Sequence, residues 1–576
     1  MCCLVVLFTA CDDVFGNEDN PMSAYLSMSD KPVTLKVGDT YRRKAISVTT
    51  AVVEYSSSDT NVATVDGEGM VTAIAEGETT ITATATGYSS QTGKKIYQPD
   101  SKSYKVTVGG GSVVPPGSTA LATPLTMEAI TAGTIVVTSP QAGMQYSLNG
   151  GAKQAVTTDA ITVAVGDKVA FYGNGTAITS YYGTQITGGT AEVKVYGNIM
   201  SLVDETDFAT NTTLTAENTF KALFDHNDKL TDASGLLLPA KTLVSSCYYN
   251  MFEYCINLTT APAELPATAL ANQCYNNMFF YCTSLTTAPE LKAETLAEDC
   301  YNGMFMDCTS LTTAPELKAQ TLANRCYLAM FCGCISLTTA PELKAQTLAE
   351  RCYYSMFDGC TSLTTAPALP ATTLKESCYE KMFYGCTNLT TAPALPATTL
   401  ANSCYYQMFR ACTSLTTAPA LPATQLANRC YYGMFYDCTN LTTAPALPAT
   451  ELAEFCYASM FYNCSSLTTA PALPVTDLKV SCYNGMFRGC SSLTTAPALP
   501  ATELANYCYA SMFYDCTNLT TAYVKAAYTT SNNVCYQMFT GCTAAGAVLH
   551  TSSGNVSGWS GYIGTIGSNW TVDNDY

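Results

Sequence analysis

The chain has 576 residues, 28 cysteines and 2 histidines, and 27 basic against 45 acidic residues give it a formal net charge of −18. A hydrophobic content of 47% excludes a disordered chain, and the length predicts several domains. The negative charge argues against nucleic acid as a partner, because phosphate binding needs clustered Lys and Arg. His226 and His550 lie far apart in sequence, which leaves little basis for catalysis or metal binding by paired histidines. We therefore predict no enzyme activity, no metal site and no cofactor.

A short apolar segment lies near the start, from Leu4 to Ala10, and Cys11 and an acidic pair follow it. Seven apolar residues are too few to span a bilayer but suffice for the core of a signal peptide. Small residues before a cysteine resemble the bacterial lipobox, and the acidic pair resembles the export signal of surface lipoproteins of the Bacteroides type. The resemblance implies a signal peptide over residues 1–11, lipidation of Cys11, and an acidic tether over 12–31 on the outer face of the outer membrane. The alternative is a buried or loop cysteine in a truncated chain.

Residues 32–108 alternate apolar residues with Thr or Ser between Gly- and Asp-containing turns. Alternation with a period of two and frequent turns predicts an antiparallel β-sandwich. The segments Val33–Asp39, Tyr55–Asp59 and Gly69–Ala73 resemble the group 2 bacterial Ig-like family, in which Trp commonly stands at the core position of Tyr55. The resemblance implies a stalk or spacer module without catalysis.

A Gly- and Pro-rich linker at 109–118 separates this module from a second one. Residues 119–200 alternate in the same way and predict a second, smaller all-β sandwich. Gly166–Phe171 and Tyr196–Met200 resemble the module that precedes leucine-rich arrays in bacterial surface proteins. No activity is implied for it.

A period of 26 residues governs residues 247–542. Twelve Met residues, each followed by Phe, mark the period after a first step of 27: Met251, Met278, Met304, Met330, Met356, Met382, Met408, Met434, Met460, Met486, Met512 and Met538. A fixed period of this length indicates stacked units and predicts a solenoid of about twelve of them. Residues 201–246 hold a degenerate unit without cysteines and predict an N-terminal cap, and residues 543–576 predict a C-terminal cap.

Comparison between units predicts a helix in each. In Leu400–Cys412 the positions that recur are i, i+1, i+4, i+5, i+8 and i+9, which fits one stripe of an α-helix of about three turns. Thr295–Glu298 has the pattern of a capping box, and Gly333 stands where a left-handed turn ends a helix. The segment Thr413–Pro422 predicts a strand of about three or four residues, since Pro419 removes a ladder donor. The predicted fold class is two all-β sandwiches followed by an α/β leucine-rich-repeat solenoid.

The repeated Met-Phe-x-x-Cys-x-x-Leu followed by Pro resembles the BspA-like leucine-rich-repeat family of bacterial surface proteins, whose members are described as adhesins or host-contact proteins. The resemblance implies a surface-anchored, monomeric protein that presents an extended repeat face to a host extracellular-matrix protein, a glycan or a microbial macromolecule. The alternative is a structural spacer or envelope component without a specific ligand, because near-identical units offer little chemical variety.

Two columns of side chains are candidate binding faces, and the sequence does not rank them. One holds the variable positions Tyr406, Gln407 and Arg410, and the other is the Thr416–Thr417 column. The tryptophans at 559 and 570 permit sugar stacking, but an open solenoid end needs large apolar side chains, so we favour the cap as their role.

Eleven units carry Cys-x7-Cys, which in a secreted chain suggests disulfides. On a helix Cys404 and Cys412 lie about 12 Å apart, beyond the roughly 7 Å that a bridge permits between Cα atoms, so bridges would have to join neighbouring units. Alignment on Met538 puts Val534 at the first Cys position of the last unit. We predict that both columns are mainly buried core residues, with inter-unit disulfides as the alternative. Cys-x2-Cys is absent, which argues against zinc, and twelve equivalent copies argue against a catalytic cysteine.

Overall fold

The computed structural model describes residues 22–23, 26–28, 33–36, 38, 40–43, 45–47, 52–75, 77–86, 97–109, 121–173, 183–566 and 570–576. The predicted signal peptide, Cys11, most of the acidic tether and nearly all of the linker lie outside these residues. The chain divides into two compact units, residues 1–120 and residues 121–576. Within the described ranges, no helix has the length and apolar character needed to cross a membrane.

The first unit is a β-sandwich of short strands. They are β1 (Met22–Ser23), β2 (Leu26–Ser27), β3 (Val33–Lys36), β4 (Thr40–Arg42), β5 (Ile46–Ser47), β6 (Val52–Ser57), β7 (Ala63–Val65), β8 (Met70–Ala73), β9 (Gly77–Thr86), β10 (Tyr97–Gln98) and β11 (Asp100–Gly109). One sheet has the order β3-β11-β9-β6, a second has the order β4-β8-β7, and β1-β10 and β2-β5 form two small pairs. The long strand β9 pairs antiparallel with β6 and β11, whereas β3 runs parallel to β11.

Alternate side chains of the two larger sheets form the core of this sandwich, among them Val71, Ile81 and Tyr104. Tyr55, predicted as a core aromatic, is only half-buried. Its hydroxyl oxygen accepts a hydrogen bond from the Ala45 N–H at 2.7 Å, which a polar ring tip needs when it is partly removed from water. The fully buried aromatic side chain of the core is Tyr104 instead.

The second unit begins with another sandwich. Its strands are β12 (Thr126–Ala129), β13 (Gly133–Thr138), β14 (Gln145–Leu148), β15 (Gln154–Ala155), β16 (Ile161–Val163), β17 (Lys168–Tyr172), β18 (Gln185–Gly189), β19 (Val193–Asn198) and β20 (Leu230–Leu237). The sheets have the orders β15-β14-β17-β12-β19-β20 and β16-β13-β18. Because β20 pairs in parallel with β19, the larger sheet continues into the segment that precedes the first complete repeat.

The helix predicted for each repeat is wrong. Among the described residues the one α-helix is α1 (Val556–Thr565), and short 3₁₀ turns occupy Ile199–Leu202, Ser531–Asn533 and Ser553–Asn555. The segment equivalent to Leu400–Cys412 is a run of tight turns in every unit. Its backbone enters the left-handed region at every fourth residue, with φ of 54° at Ser403, 52° at Gln407 and 59° at Ala411. An α-helix has no such residues.

Backbone hydrogen bonds explain this arrangement. The Met408 N–H donates within its own turn, to the Tyr405 carbonyl at 3.2 Å. The next N–H, that of Phe409, donates instead to the Met434 carbonyl of the following unit at 3.0 Å. This alternation repeats along the segment, whereas a helix would satisfy its N–H groups internally. The pattern i, i+1, i+4, i+5 therefore has a period of four, set by bonding between units, and not the helical 3.6.

Stacked aromatic rings fill the core of the array. The Phe of each Met–Phe pair, together with Phe224 of the preceding degenerate unit, forms a stacked column that ends at Phe539, with 5.2–5.8 Å between the centroids of neighbouring rings. A Tyr column runs beside it from Tyr248 to Tyr509, at 5.4–6.2 Å. The Phe column begins in the unit without cysteines, and Phe224 therefore places that unit in the same stack.

The opposite side of each unit has less strand than predicted. Most units there are joined by isolated bridges, such as Thr417 with Thr443, and only β21 (Glu264–Leu265) and β22 (Glu290–Leu291) form a two-residue pair. The predicted capping box is also wrong, because no helix begins there and Thr295 forms a bridge with Ala269.

The array ends in a three-stranded parallel sheet and α1. The strands are β23 (Thr521–Val524), β24 (Val548–Thr551) and β25 (Thr571–Asp573), with β24 in the centre. β23 belongs to the last units of the array, and β24 and β25 lie beyond Cys542. The segment after Cys542 therefore adds strands to the final units.

Candidate functional site

The two cysteine columns lie in the core. The cysteines of both columns are buried free thiols, and in each of the twelve units the second one donates its Sγ–H to the Phe carbonyl of the preceding unit, as from Cys412 to Phe383 at 3.0 Å. Burial raises the pKa of Cys404 to about 12, which leaves almost no thiolate near neutral pH. The prediction of buried core cysteines is confirmed. The distance argument used for it does not apply, because the segment is not a helix.

The last unit follows the same rule. Val534 and Cys535 are buried at the positions of the first Cys and the Tyr. The Tyr509 N–H donates to the Val534 carbonyl at 3.0 Å, in the same way that Tyr405 contacts Cys430. Within the described ranges, no group of three His, Cys, Asp or Glu side chains is placed to hold a metal ion.

The variable side chains of the turn segment form a surface that we call the turn face, made of the positions equivalent to Tyr406, Gln407 and Arg410. Tyr406 and Arg410 are half-buried. Gln407 was predicted as a candidate contact residue, but it is only 7% exposed and its backbone is left-handed. Its side chain is held against the neighbouring units, and the accessible part of the face is formed by the other two positions.

One column of the turn face is a continuous stack of Tyr and Arg, which we call the Tyr–Arg column. Its members, one per unit, are Tyr384, Arg410, Tyr436, Tyr462, Arg488 and Tyr514. The Arg410 guanidinium carbon lies 5.4 Å from the centroid of the Tyr384 ring and 4.1 Å from that of Tyr436. Arg488 lies between Tyr462 and Tyr514 at the same two distances. At the centre, Tyr436 and Tyr462 stack at 4.1 Å with ring planes 6° apart.

The two arginines of this column are held by aromatic faces and not by carboxylates. Among the described residues no acidic side chain lies within ion-pair distance of Arg410 or Arg488, and the buried Nε of Arg410 donates no hydrogen bond. Arg325, earlier in the array, pairs with Glu298 at 2.7 Å and with Asp299 at 2.9 Å. The Tyr–Arg column is thus a place where positive charge is unmatched in a chain that is acidic as a whole.

A groove of about 510 Å³ lies on the same face. Tyr406 and Tyr432 stack in it at 4.9 Å, and the Arg429 guanidinium lies 5.2 Å from the centroid of the Phe455 ring. Glu380 also lines the groove, and burial raises the pKa of its carboxyl. The groove therefore combines aromatic edges with both signs of charge.

The Thr416–Thr417 column is exposed but uniform. The hydroxyl of the first Thr donates along the array, as from Thr442 to the Thr416 carbonyl at 3.2 Å. The second Thr forms the bridge between units, as in Thr417 with Thr443. The Thr–Thr pair recurs in eleven units, so no position in the column differs enough in its side chain from its neighbours to define a site.

A second cleft, of about 650 Å³, lies where the second sandwich meets the first repeats. Lys221, Asp225, Tyr249 and Asn250 line it together with residues of the sandwich. Burial raises the pKa of nearby Glu253 to about 7, and the neighbouring Asp225 charge adds to the shift. Asn250 donates a hydrogen bond to the Glu253 carboxylate, which supports one of its two oxygens.

The tryptophans offer no sugar platform. Trp559 is 0% exposed and donates its Nε1–H to the Ala526 carbonyl at 2.9 Å. Trp570 is 6% exposed and lies 5.1 Å from the ring centroid of Phe539, the last member of the Phe column. Both rings pack at the end of the core, as expected for side chains that close it.

Sequence reasoning named Arg410 but missed its neighbours Tyr436 and Tyr462. They stand two residues after each Met, at the same offset as Arg410. The residues at this position in successive units are Tyr and Arg from Tyr384 to Tyr514, and stacked units bring residues at equivalent positions into contact.

Two known protein families match the chain, one in the first unit and one in the array. Residues 25–96 match the bacterial Ig-like domain (group 2) family. Residues 327–442 and 427–545 match the BspA type leucine-rich repeat region, which is described with six copies. The chain carries a group 2 Ig-like domain and BspA-type repeats. No curated protein matches it.

Proteins with BspA-type repeats are typically surface-associated, and neither family is generally enzymatic. The Tyr–Arg column, from Tyr384 to Tyr514, lies wholly inside the residues that match BspA-type repeats.

Proposed function

We propose that this protein is a surface-anchored, non-enzymatic binding protein whose repeats stack as one solenoid of about twelve units and present the turn face to host or microbial macromolecules. The match to BspA-type repeats supports a surface binding or adhesion role. The bacterial Ig-like domain suits a stalk between anchor and array.

The observation that carries the proposal is the composition of the turn face. Tyr and Arg, together with Trp, are enriched among the residues that dominate binding energy at protein interfaces. Here they project from a backbone fixed by hydrogen bonds between units, such as that from Gln407 to Tyr432 at 2.8 Å. Side chains that are already ordered lose less entropy when a partner binds, which favours this face over a flexible loop.

The turn face can be tested with the intact chain against immobilised extracellular-matrix proteins and a glycan panel. We expect binding to be lost in the double variant Tyr406→Ser, Tyr432→Ser. It should persist in the matched control Thr416→Ser, Thr442→Ser on the opposite side, with both variants unfolding at the temperature of the parent. Loss of binding in the control alone would show that the Thr column, and not the turn face, binds the ligand. The absence of any ligand above background would favour the structural spacer.

Anchoring through Cys11 is part of the same proposal and rests on the resemblance to a lipobox. Labelled palmitate should enter the parent chain in cells and not the Cys11→Ala variant. Protease added to intact cells should remove the array from the parent. Incorporation into the Cys11→Ala variant would contradict lipidation at this residue, and a protected array would contradict display on the outer surface.

A further inference from the structure

We propose that the Tyr–Arg column binds an extended acidic peptide segment, with one carboxylate on Arg410 and a second on Arg488. This rests on the proposed function and adds to it the position of the site and the chemistry of the partner.

The first step is the geometry of the two guanidinium groups. Tyr rings lie on both sides of each one, at 4.1 Å and 5.4 Å from the guanidinium carbon. Because tyrosine rings cover both faces of each guanidinium, a ligand can reach only the edge of the group, where its N–H donors lie. That edge matches a carboxylate with two parallel hydrogen bonds, and a fixed planar fork loses little entropy on pairing.

The second step is the missing partner. Several other cations of the array pair with acidic side chains of their own or the preceding unit: Lys292 with Glu290 at 2.6 Å, Lys344 with Glu316 at 2.8 Å, and Arg325 with Asp299 at 2.9 Å. In the part of the chain that the structure describes, Arg410 and Arg488 have no such ion pair and lie between tyrosine rings instead. An incoming carboxylate would give Arg410 and Arg488 the kind of partner that Lys292, Lys344 and Arg325 have within the chain.

The third step is spacing. Arg410 and Arg488 are three units apart, with Tyr436 and Tyr462 between them. Parallel backbone ladders advance about 4.8 Å per unit, so the two arginines lie about 14 Å apart. An extended peptide rises about 3.4 Å per residue and presents alternate side chains on one face, so residues i and i+4 share a face at about the same distance. A peptide with Asp or Glu at i and i+4 fits both cations when it runs along the array.

The centre of the column favours a peptide over a sugar. Tyr436 and Tyr462 cover each other at 4.1 Å with ring planes 6° apart, and each also has an arginine on its other side. A sugar ring stacks on the free face of an aromatic ring, and neither ring has one. Ring edges and hydroxyl groups remain, and these suit the backbone amides and side chains of an extended chain.

The test uses the whole chain and fluorescence anisotropy of a labelled nine-residue peptide with Glu at positions i and i+4. Comparison peptides carry Gln at both positions or Glu at i and i+2, and an oligosaccharide of two uronic acids provides the glycan arm. We expect the i, i+4 peptide to bind at least tenfold more tightly than each comparison ligand. Binding should weaken at least tenfold in Arg410→Gln, Arg488→Gln, and it should weaken as salt is added.

The charge-matched control is Lys344→Gln, Lys479→Gln, which removes two partly exposed cations outside the column and should bind as the parent does. Equal weakening in this control would assign the effect to net charge and overturn the site. No peptide binding, unchanged binding in the arginine variant, or preference for the uronic oligosaccharide would overturn the proposal. If the arginine variant loses the peptide but still binds the matrix ligand, the peptide site is independent of the general binding role. If it keeps the peptide but loses the matrix ligand, the peptide site proposed here is wrong while the general binding role stands.

Discussion

The earlier and later units of the array share one backbone but use charge differently. Between Glu264 and Lys344 a ladder of Glu and Lys crosses from unit to unit, as in Lys292 with Glu264 at 3.4 Å and Lys318 with Glu290 at 3.4 Å. In later units the position of Lys292 is taken by proline, as at Pro422. There the turn face instead carries arginines between tyrosines. The earlier units pair these charges with one another, whereas Arg410 and Arg488 in the later units contact tyrosine rings in place of carboxylates.

The largest effect should come from the core that both regions share. Phe409→Ala removes a ring from the buried stack and should lower the free energy of unfolding by about 3–5 kcal/mol. The equivalent change in the earlier units, Phe305→Ala, should cost the same within about 1 kcal/mol, because both rings have equivalent Phe neighbours at 5.5–5.7 Å. Urea unfolding of both variants measures this. A large difference would show that the two regions differ in core packing as well as in surface charge.

The next effect separates the two regions. Asp299→Asn removes the charge that pairs with Arg325 and is only 5% exposed, so we expect a loss of about 1–2 kcal/mol in the free energy of unfolding. Asparagine suits the left-handed backbone at this position, which isolates the effect of charge. Arg410→Gln should cost less, about 0.5–1 kcal/mol, because it removes contacts with two tyrosine rings but leaves no buried carboxylate without its counter-charge. Equal losses in the two variants would contradict the contrast drawn between paired and unpaired cations.

A smaller effect concerns the turns themselves. Ala411 is left-handed with φ of 59°, while its counterpart in the preceding unit is Gly385. A left-handed backbone costs an L-residue about 1–2 kcal/mol, and glycine avoids this cost. Glycine also raises the conformational entropy of the unfolded chain, which lowers stability by about 0.5–1 kcal/mol. Ala411→Gly should therefore stabilise by about 0.5–1 kcal/mol, seen as a higher urea midpoint. The control Ala423→Gly, at a buried alanine without positive φ, should destabilise.

A last effect is the pH dependence that Glu253 gives to the start of the array. The pKa of Glu253 is raised from its ordinary 4.5 to about 7, by burial first and then by Asp225, so the folded chain holds this proton more tightly than the unfolded chain does. Its contribution to the free energy of unfolding therefore rises as pH falls from above 7 towards about 4.5, where it levels off. Glu253→Gln should flatten the stability profile across this window relative to the parent, measured by urea midpoints at each pH. An unchanged slope would contradict the raised pKa.

The sequence predicts the repeat and its core but not the local backbone. The repeated cysteine, tyrosine, methionine and phenylalanine offsets identify the buried columns, because residues of equal offset stack in register. The sequence pattern predicts a helix because, over one short segment, a four-residue repeat of buried positions is hard to distinguish from the 3.6 residues per turn of an α-helix. Ser403, Gln407 and Ala411 have no intrinsic preference for left-handed backbone, and they adopt it because alternate N–H groups bond to the next unit. That cause lies between units, where local propensity gives no signal.

The candidate surface was only half predictable. Arg410 stood out as a variable residue, but whether a cation is free or paired depends on neighbours in other units. Arg325 stands five residues before its Met and Arg410 two residues after its Met, and Arg325 is paired because Glu298 and Asp299 of the preceding unit lie beside it.

The reactivity of the buried thiols measures how often neighbouring units of the array separate. A thiol such as Cys412, fixed to a carbonyl of the preceding unit, reacts with an alkylating reagent only when its own unit separates from that neighbour. Each unit thus carries its own reporter, and peptide mapping after timed labelling would give an opening rate for every step along the array. From the order in which the cysteines react, one could read whether the stack frays from its ends or breaks first at an interior junction.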